Sequence, residues 1–181
     1  MLTIKLPPHE TQTEFNLRRW DELLADREMA KIEGRVETDR FGHVIMSPPP
    51  AANHGSCQFE IARLLHGLMF GGRVVTECPI STADGVRAAD VAWASAQRMK
   101  ELGNRTCFPH APEICVEVLS PGNTDEEMRE KVSLYFDAGA SEVWLCGVFG
   151  DLKFFMSADA PPATASKICP NFPAQIQLKV F

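Results

Sequence analysis

Apolar residues at positions 15, 17, 20, 23 and 24 (Phe, Leu, Trp, Leu, Leu) recur at helical spacing and predict a helix over about Glu14 to Leu24. A hairpin follows, with strands near Ala30 to Glu37 and His43 to Ser47 joined through Asp39 and Gly42, which supply turn chemistry, and Pro48 to Pro50 end that segment. Asn53 can cap a second helix running to about Phe70, because Phe59, Ile61, Leu64, Leu65 and Leu68 share a broad face and Gly71-Gly72 closes it. Arg73 to Ile80 and Val86 to Ala94 read as a strand pair around residues 81–85, followed by a short helix near Ala96 to Leu102. The run from Pro112 to Ser120 is a central strand. Thr124 and Glu127 have capping-box spacing and introduce a helix that stops at Gly139. A last hairpin pairs Glu142 to Phe149 with Leu152 to Met156, and a short strand is expected near Gln175 to Val180.

A chain of 181 residues with 45% hydrophobic content supports one core, so a single α/β domain over 1–181 is expected, with residues 1–13 as an arm and 157–181 as an irregular wrap. The net charge of −6 and pI of about 5.4 exclude a molecule-wide basic footprint for nucleic acid or an anionic membrane, so any such contact must be local. The cations, among them Arg35, Arg73, Arg87 and Lys131, are scattered and define no patch. None of the six cysteines forms a CxxC pair, which argues against zinc. With no apolar leader and no stretch long enough to span a bilayer, a reducing, cytoplasmic location is expected.

The chemistry is carried by acids in apolar runs. Glu117 stands inside Ile114-Cys115-Val116-Glu117-Val118-Leu119, where an unpaired carboxylate would cost several kcal/mol. Asp90 repeats the pattern between Ala88 and Ala92, small residues that leave room beside it on one strand face. Two such acids on adjacent strands suit a hard divalent ion, Mg²⁺ or Mn²⁺. Lys131, on the next helix, could reach back over that ion and stabilise charge on a phosphate. The alternatives are structural: a salt bridge from Glu117 to Arg73 or Arg87, a turn or strand-end role for Asp90, and a surface pair between Lys131 and Glu127 four residues before it. Tyr135 reads as core packing and Ser120 as a turn cap.

The ordered set Ile32-Glu33-Gly34, Met46-Ser47-Pro48, Asn53-His54, Ala89-Asp90-Val91, Val116-Glu117-Val118-Leu119-Ser120-Pro121, Lys131 with Tyr135, Ala138-Gly139-Ala140 and Glu142-Val143-Trp144-Leu145 resembles the Uma-two family of the PD-(D/E)XK nuclease superfamily. The resemblance covers roughly Glu14 to Met156. It implies a restriction-endonuclease-like core, a mixed β-sheet flanked by helices, and a Mg²⁺- or Mn²⁺-dependent phosphodiesterase site. Asp90 and Glu117 would match the two motif acids and hold the metal. Lys131 would match a lysine that has migrated to the helix, since Leu119 occupies the usual strand position. Glu33 would match an auxiliary acid, and His54 a histidine at the start of the second helix, where a cap or surface role is the plainer alternative. Ala89 stands where the motif has proline.

These readings together describe a metal-dependent endonuclease hydrolysing DNA, acting as a homodimer, with catalytic residues Asp90, Glu117, Lys131 and Glu33 and a further candidate in His54. A catalytically degenerate nuclease-like module that binds a protein or nucleic-acid partner is the rival from another class, favoured by the acidic charge and the missing strand lysine. Hydrolysis of a small phosphate ester is a third reading.

Overall fold

The computed structural model describes residues 10–32, 34–47 and 49–178. Helix α1 spans Gln12–Ala25, started by a capping box between Thr11 and Glu14, two residues before the predicted start at Glu14. A 3₁₀ turn, Met29–Lys31, takes the place of the first predicted hairpin residues, so strand β1 is only Arg35–Thr38, paired antiparallel with β2, Val44–Ser47. Helix α2 covers Ala52–Leu68. Its N-cap position is Ala51, with no side-chain cap, and Asn53 instead donates to the Val148 carbonyl at 3.3 Å.

Strands β3 (Gly72–Thr82) and β4 (Gly85–Ser95) are longer than the pattern predicts because the turn between them is only Ala83-Asp84. Gly85, at φ +95°, makes this possible: a Cβ there would lie 2.2 Å from the Thr38 carbonyl oxygen. Helix α3 is Ala96–Leu102, β5 is Ile114–Val118, α4 is Asp125–Asp137 with the expected capping box, and β6 (Glu142–Cys146) pairs with β7 (Leu152–Phe155).

The main sheet runs β3-β4-β5-β6-β7, with β5 and β6 parallel and the other neighbours antiparallel. A parallel pair needs a crossover connection, and α4 supplies it between β5 and β6. Alternation along β5 divides the core: Ile114, Val116 and Val118 pack with Cys57, Ile61 and Leu65 of α2, while Cys115 packs with Met128, Val132 and Tyr135 of α4. Glu117 shares the Cys115 parity. After β7 the chain carries only isolated bridges, Phe154 with Ala163 and Asp151 with Gln175; residues 176–178 are not strand, and 179–181 lie outside the described residues. Buried Glu142 ties that tail down, accepting from Trp144 Nε1, Ser166 Oγ and the backbone N–H groups of Lys167 and Ile168.

Candidate active site

The site begins where the sheet opens. Pairing between β4 and β5 runs from Trp93↔Ile114 to Val91↔Val116 and stops. Asp90 and Glu117 would be the next rung, and instead the Asp90 carboxylate accepts the Val118 N–H at 2.6 Å, so a side chain replaces a ladder bond. Further down β4, the N–H groups of Val86 and Ala88 are taken by the Thr38 hydroxyl and the Glu37 carboxylate of β1. The small hairpin thus closes the free edge of β4 and delivers Arg35 and Glu37, two apart and therefore on one face, to the opening.

On the other flank of Asp90 the β3 pairing skips Glu77, which sits at φ +48° between the rungs Thr76↔Val91 and Cys78↔Ala89. A non-glycine residue there costs about 1–3 kcal/mol. The Gln58 amide of α2 fills the gap, donating to Glu77 Oε1 at 2.8 Å and to the Asp90 carbonyl at 2.9 Å. Glu77, Asp90 and Glu117 therefore form a row across three strands. The Arg35 guanidinium lies along it: Nε is 3.7 Å from Glu77, Nη1 is 2.7 Å from Asp90 Oδ1, and Nη2 is 3.7 Å from Glu117 Oε1.

Lys131 reaches the row from α4, with Nζ 3.1 Å from Glu117 Oε2 and 3.3 Å from Glu37 Oε1. The Tyr135 hydroxyl donates to Glu117 Oε1 at 2.5 Å. His54 Nε2 lies 3.4 Å from Asp90 Oδ2. Asp90, Glu117 and Glu37 are 1%, 3% and 6% exposed, so these charges act through protein rather than water.

The environment separates the two motif acids. Burial opposes ionisation of Asp90, but the His54 imidazole beside it, Arg35 and the Val118 N–H outweigh it and hold the carboxyl below its ordinary range. For Glu117 burial wins: its pKa is raised against the pull of Lys131 and Arg35, with Asp90 and Glu37 adding to the rise. The neighbouring Asp90 carboxylate raises His54. Lys131 is also raised, since Glu117 and Glu37 overcome its desolvation.

Asp90, Glu117, Lys131 and His54 are thus in one cluster. Glu33 lies outside the described residues, and the acid that β1 brings to the cluster is Glu37. The surface pair between Glu127 and Lys131 is not formed, because Glu127 accepts the Thr124 N–H in the capping box. Neither Arg73 nor Arg87 pairs with Glu117; Arg87 binds Asp84 and the Thr38 carbonyl. Tyr135 both packs and hydrogen-bonds, and at Ser120 the turn is closed by Asn123, whose side chain accepts the Ser120 N–H. Pattern reading missed Arg35, Glu37, Gln58 and Glu77. The sequence signal for the first two is Arg-Val-Glu, opposite charges on one face of a strand.

Among the described residues no three His, Cys, Asp or Glu side chains converge as a metal cage. The donor chemistry nonetheless fits a hard divalent ion: Asp90 Oδ1 and Glu117 Oε1, from adjacent strands, both face the Arg35 guanidinium, and each keeps a lone pair beyond its present hydrogen bond. The point on which they converge is held by that guanidinium.

Among curated proteins nothing matches this chain. Among solved structures it is similar to a crystal structure of a putative nuclease belonging to DUF820 from Anabaena variabilis, with 17% identity over 82% of this chain and 92% of that one and a TM-score of 0.60. That likeness assigns the restriction-endonuclease-like fold to the five-stranded mixed sheet with α2 and α4 on its two faces. The family model Uma2, described as "Putative restriction endonuclease", matches residues 20–151, a span that takes in Arg35, Glu37, His54, Asp90, Glu117 and Lys131, and the chain belongs to that family.

Proposed function

We propose that the protein is a metal-dependent nuclease that hydrolyses phosphodiester bonds in DNA. The observation that carries this reading is the meeting of buried Asp90 and Glu117 at the rung where β4 and β5 part, with Lys131 on the second acid. Asp90 and Glu117 would hold Mg²⁺ or Mn²⁺; when bound, the ion supplies Lewis acidity that lowers the pKa of a water and offsets phosphate charge. The chain's own groups do the remaining work. Lys131 places a positive charge beside the acids, where it can orient the attacking water and stabilise the developing charge. Tyr135 fixes the Glu117 carboxylate from the core side, and His54 with the Val118 N–H fixes that of Asp90. Leu119, in the usual lysine position, is partly buried against the α4 core, which leaves Lys131 to act from the helix.

All six cysteines are free, which accords with a reducing cytoplasm. A homodimer would join the weak basic surfaces of two acidic protomers into one groove. The partner-binding module has its own support, because Arg35 fills the acid row as a structural counter-ion would. Cleavage of plasmid and linear DNA in Mg²⁺ or Mn²⁺ separates the two: the wild type should cut, and Asp90→Asn and Glu117→Gln should neither cut nor bind Mn²⁺ by calorimetry. A folded wild type that binds no Mn²⁺ and leaves DNA intact makes the module the correct account.

A further inference from the structure

We propose that Arg35 is the resident cation of the ion seat and that a divalent ion binds by exchange with it, the guanidinium moving outward onto Glu77. The inference rests on the reading of Asp90 and Glu117 as ion ligands and concerns what sets the affinity of that site.

Geometry and the chemistry of the ion together place Arg35 in the seat. Its Nη1 is bonded to Asp90 Oδ1, and its Nη2 lies between Glu117 Oε1 at 3.7 Å and Glu37 Oε1 at 3.5 Å, so the guanidinium is the common neighbour of the Asp90 and Glu117 oxygens. Mg²⁺ binds oxygen at about 2.0–2.1 Å and tolerates no competing donor between its ligands. An ion and a guanidinium a few ångströms apart in a buried site also repel strongly. The arginine must therefore leave the inner position for both acids to ligate one ion.

Its inner seat is incomplete. Arg35 Nε and Nη2 are buried and find no hydrogen-bond acceptor among the described residues, so of its donors only Nη1 makes a short bond to the row. An outer seat is already built. Glu77 Oε2 lies 3.7 Å from Nε, its other oxygen is held by Gln58, and its side chain is about half exposed. A cavity of about 460 Å³, lined by Trp20, Leu23, Gly34, Arg35 and Glu77, gives the side chain space to turn in. The left-handed backbone at Glu77 is accounted for as well, since it breaks the β3 ladder at the rung beside Asp90.

Exchange keeps the row neutralised in both states. Without an ion Arg35 screens Asp90 and Glu117; with one, the guanidinium screens Glu77. The ion must then compete with an internal cation, so the chain binds divalent metal more weakly than its acids alone would allow.

Calorimetry with Mn²⁺ on the full chain tests this. Arg35→Met should tighten Mn²⁺ binding by at least about tenfold, the scale of one charge-assisted hydrogen bond no longer broken. Glu77→Gln, which keeps Arg35 but weakens its outer seat, should loosen binding severalfold and serves alone if Arg35→Met does not fold without metal. In ¹⁵N-labelled wild type the Arg35 Nε–H resonance should shift on addition of diamagnetic Mg²⁺. Equal Mn²⁺ affinity in wild type, Arg35→Met and Glu77→Gln, with binding still lost in Asp90→Asn, overturns the exchange and leaves the ion site standing. No Mn²⁺ binding in any of them overturns the ion reading and the exchange with it.

Discussion

Lys131 Nζ stands 3.1 Å from Glu117 Oε2 although fourteen residues and the start of a helix separate them. The β5-α4 connection folds the helix back over its own strand, so its second turn lies above the last buried residues of β5. A lysine on the inward face there is aimed at an acid of the Cys115 parity. Lys131→Met should lower DNA cleavage by at least about a hundredfold, the loss seen when one transition-state stabiliser is removed. It should also lower stability by about 3 kcal/mol in urea, because Glu117 and Glu37 lose a buried counter-ion. Parental cleavage by a folded mutant would remove Lys131 from the mechanism.

The pair of His54 and Asp90 predicts a pH dependence of the metal-free protein. The folded pKa of His54 is raised, so its contribution is complete below the unfolded value of about 6.5 and is lost as pH rises through the folded value. The folded pKa of Asp90 is lowered, so its contribution is present above about 3.9 and is lost as pH falls through the folded value. In an NMR titration His54 should protonate above pH 6.5 in the wild type and at lower pH in Asp90→Asn. An identical His54 midpoint in both proteins contradicts the pairing.

Glu142 offers a test independent of catalysis. Glu142→Ala strands the buried donors of Trp144 and Ser166 and the half-buried N–H groups of Lys167 and Ile168, and each unsatisfied buried group costs about 1–3 kcal/mol. The mutant should lose at least about 3 kcal/mol in urea denaturation and should be nicked by protease within 157–178. Stability within about 1 kcal/mol of the parent would show that the tail is held by its apolar contacts alone.

If DNA is the substrate, binding measured in Ca²⁺ should weaken steeply with salt. Each phosphate neutralised on duplex DNA adds roughly 0.9 to the logarithmic slope, because condensed counterions are released. Several contacts are expected despite the net charge of −6. A salt-independent signal, or none at low salt, would favour the partner-binding module.

The sequence by itself determined what is local. Apolar spacing placed every main helix and the strands of the sheet to within a few residues, because period and capping chemistry act between neighbours, as the Thr124 and Glu127 box shows. It also marked Asp90 and Glu117, since an acid inside an apolar strand must be compensated somewhere. What compensates them was decided only by the tertiary structure. Arg35 and Asp90 are 55 residues apart, and Glu37 and Lys131 are 94 apart, separations that carry no periodic signal. The hairpin against the free edge of β4 brings them together, and Glu127, an apparent partner of Lys131 by spacing, is consumed by its own helix cap. Hydrogen-bond and charge satisfaction in a buried cleft is a property of the packed whole, so residues alike in sequence, such as Arg35 and Arg73, part company only when the sheet opens beside one of them.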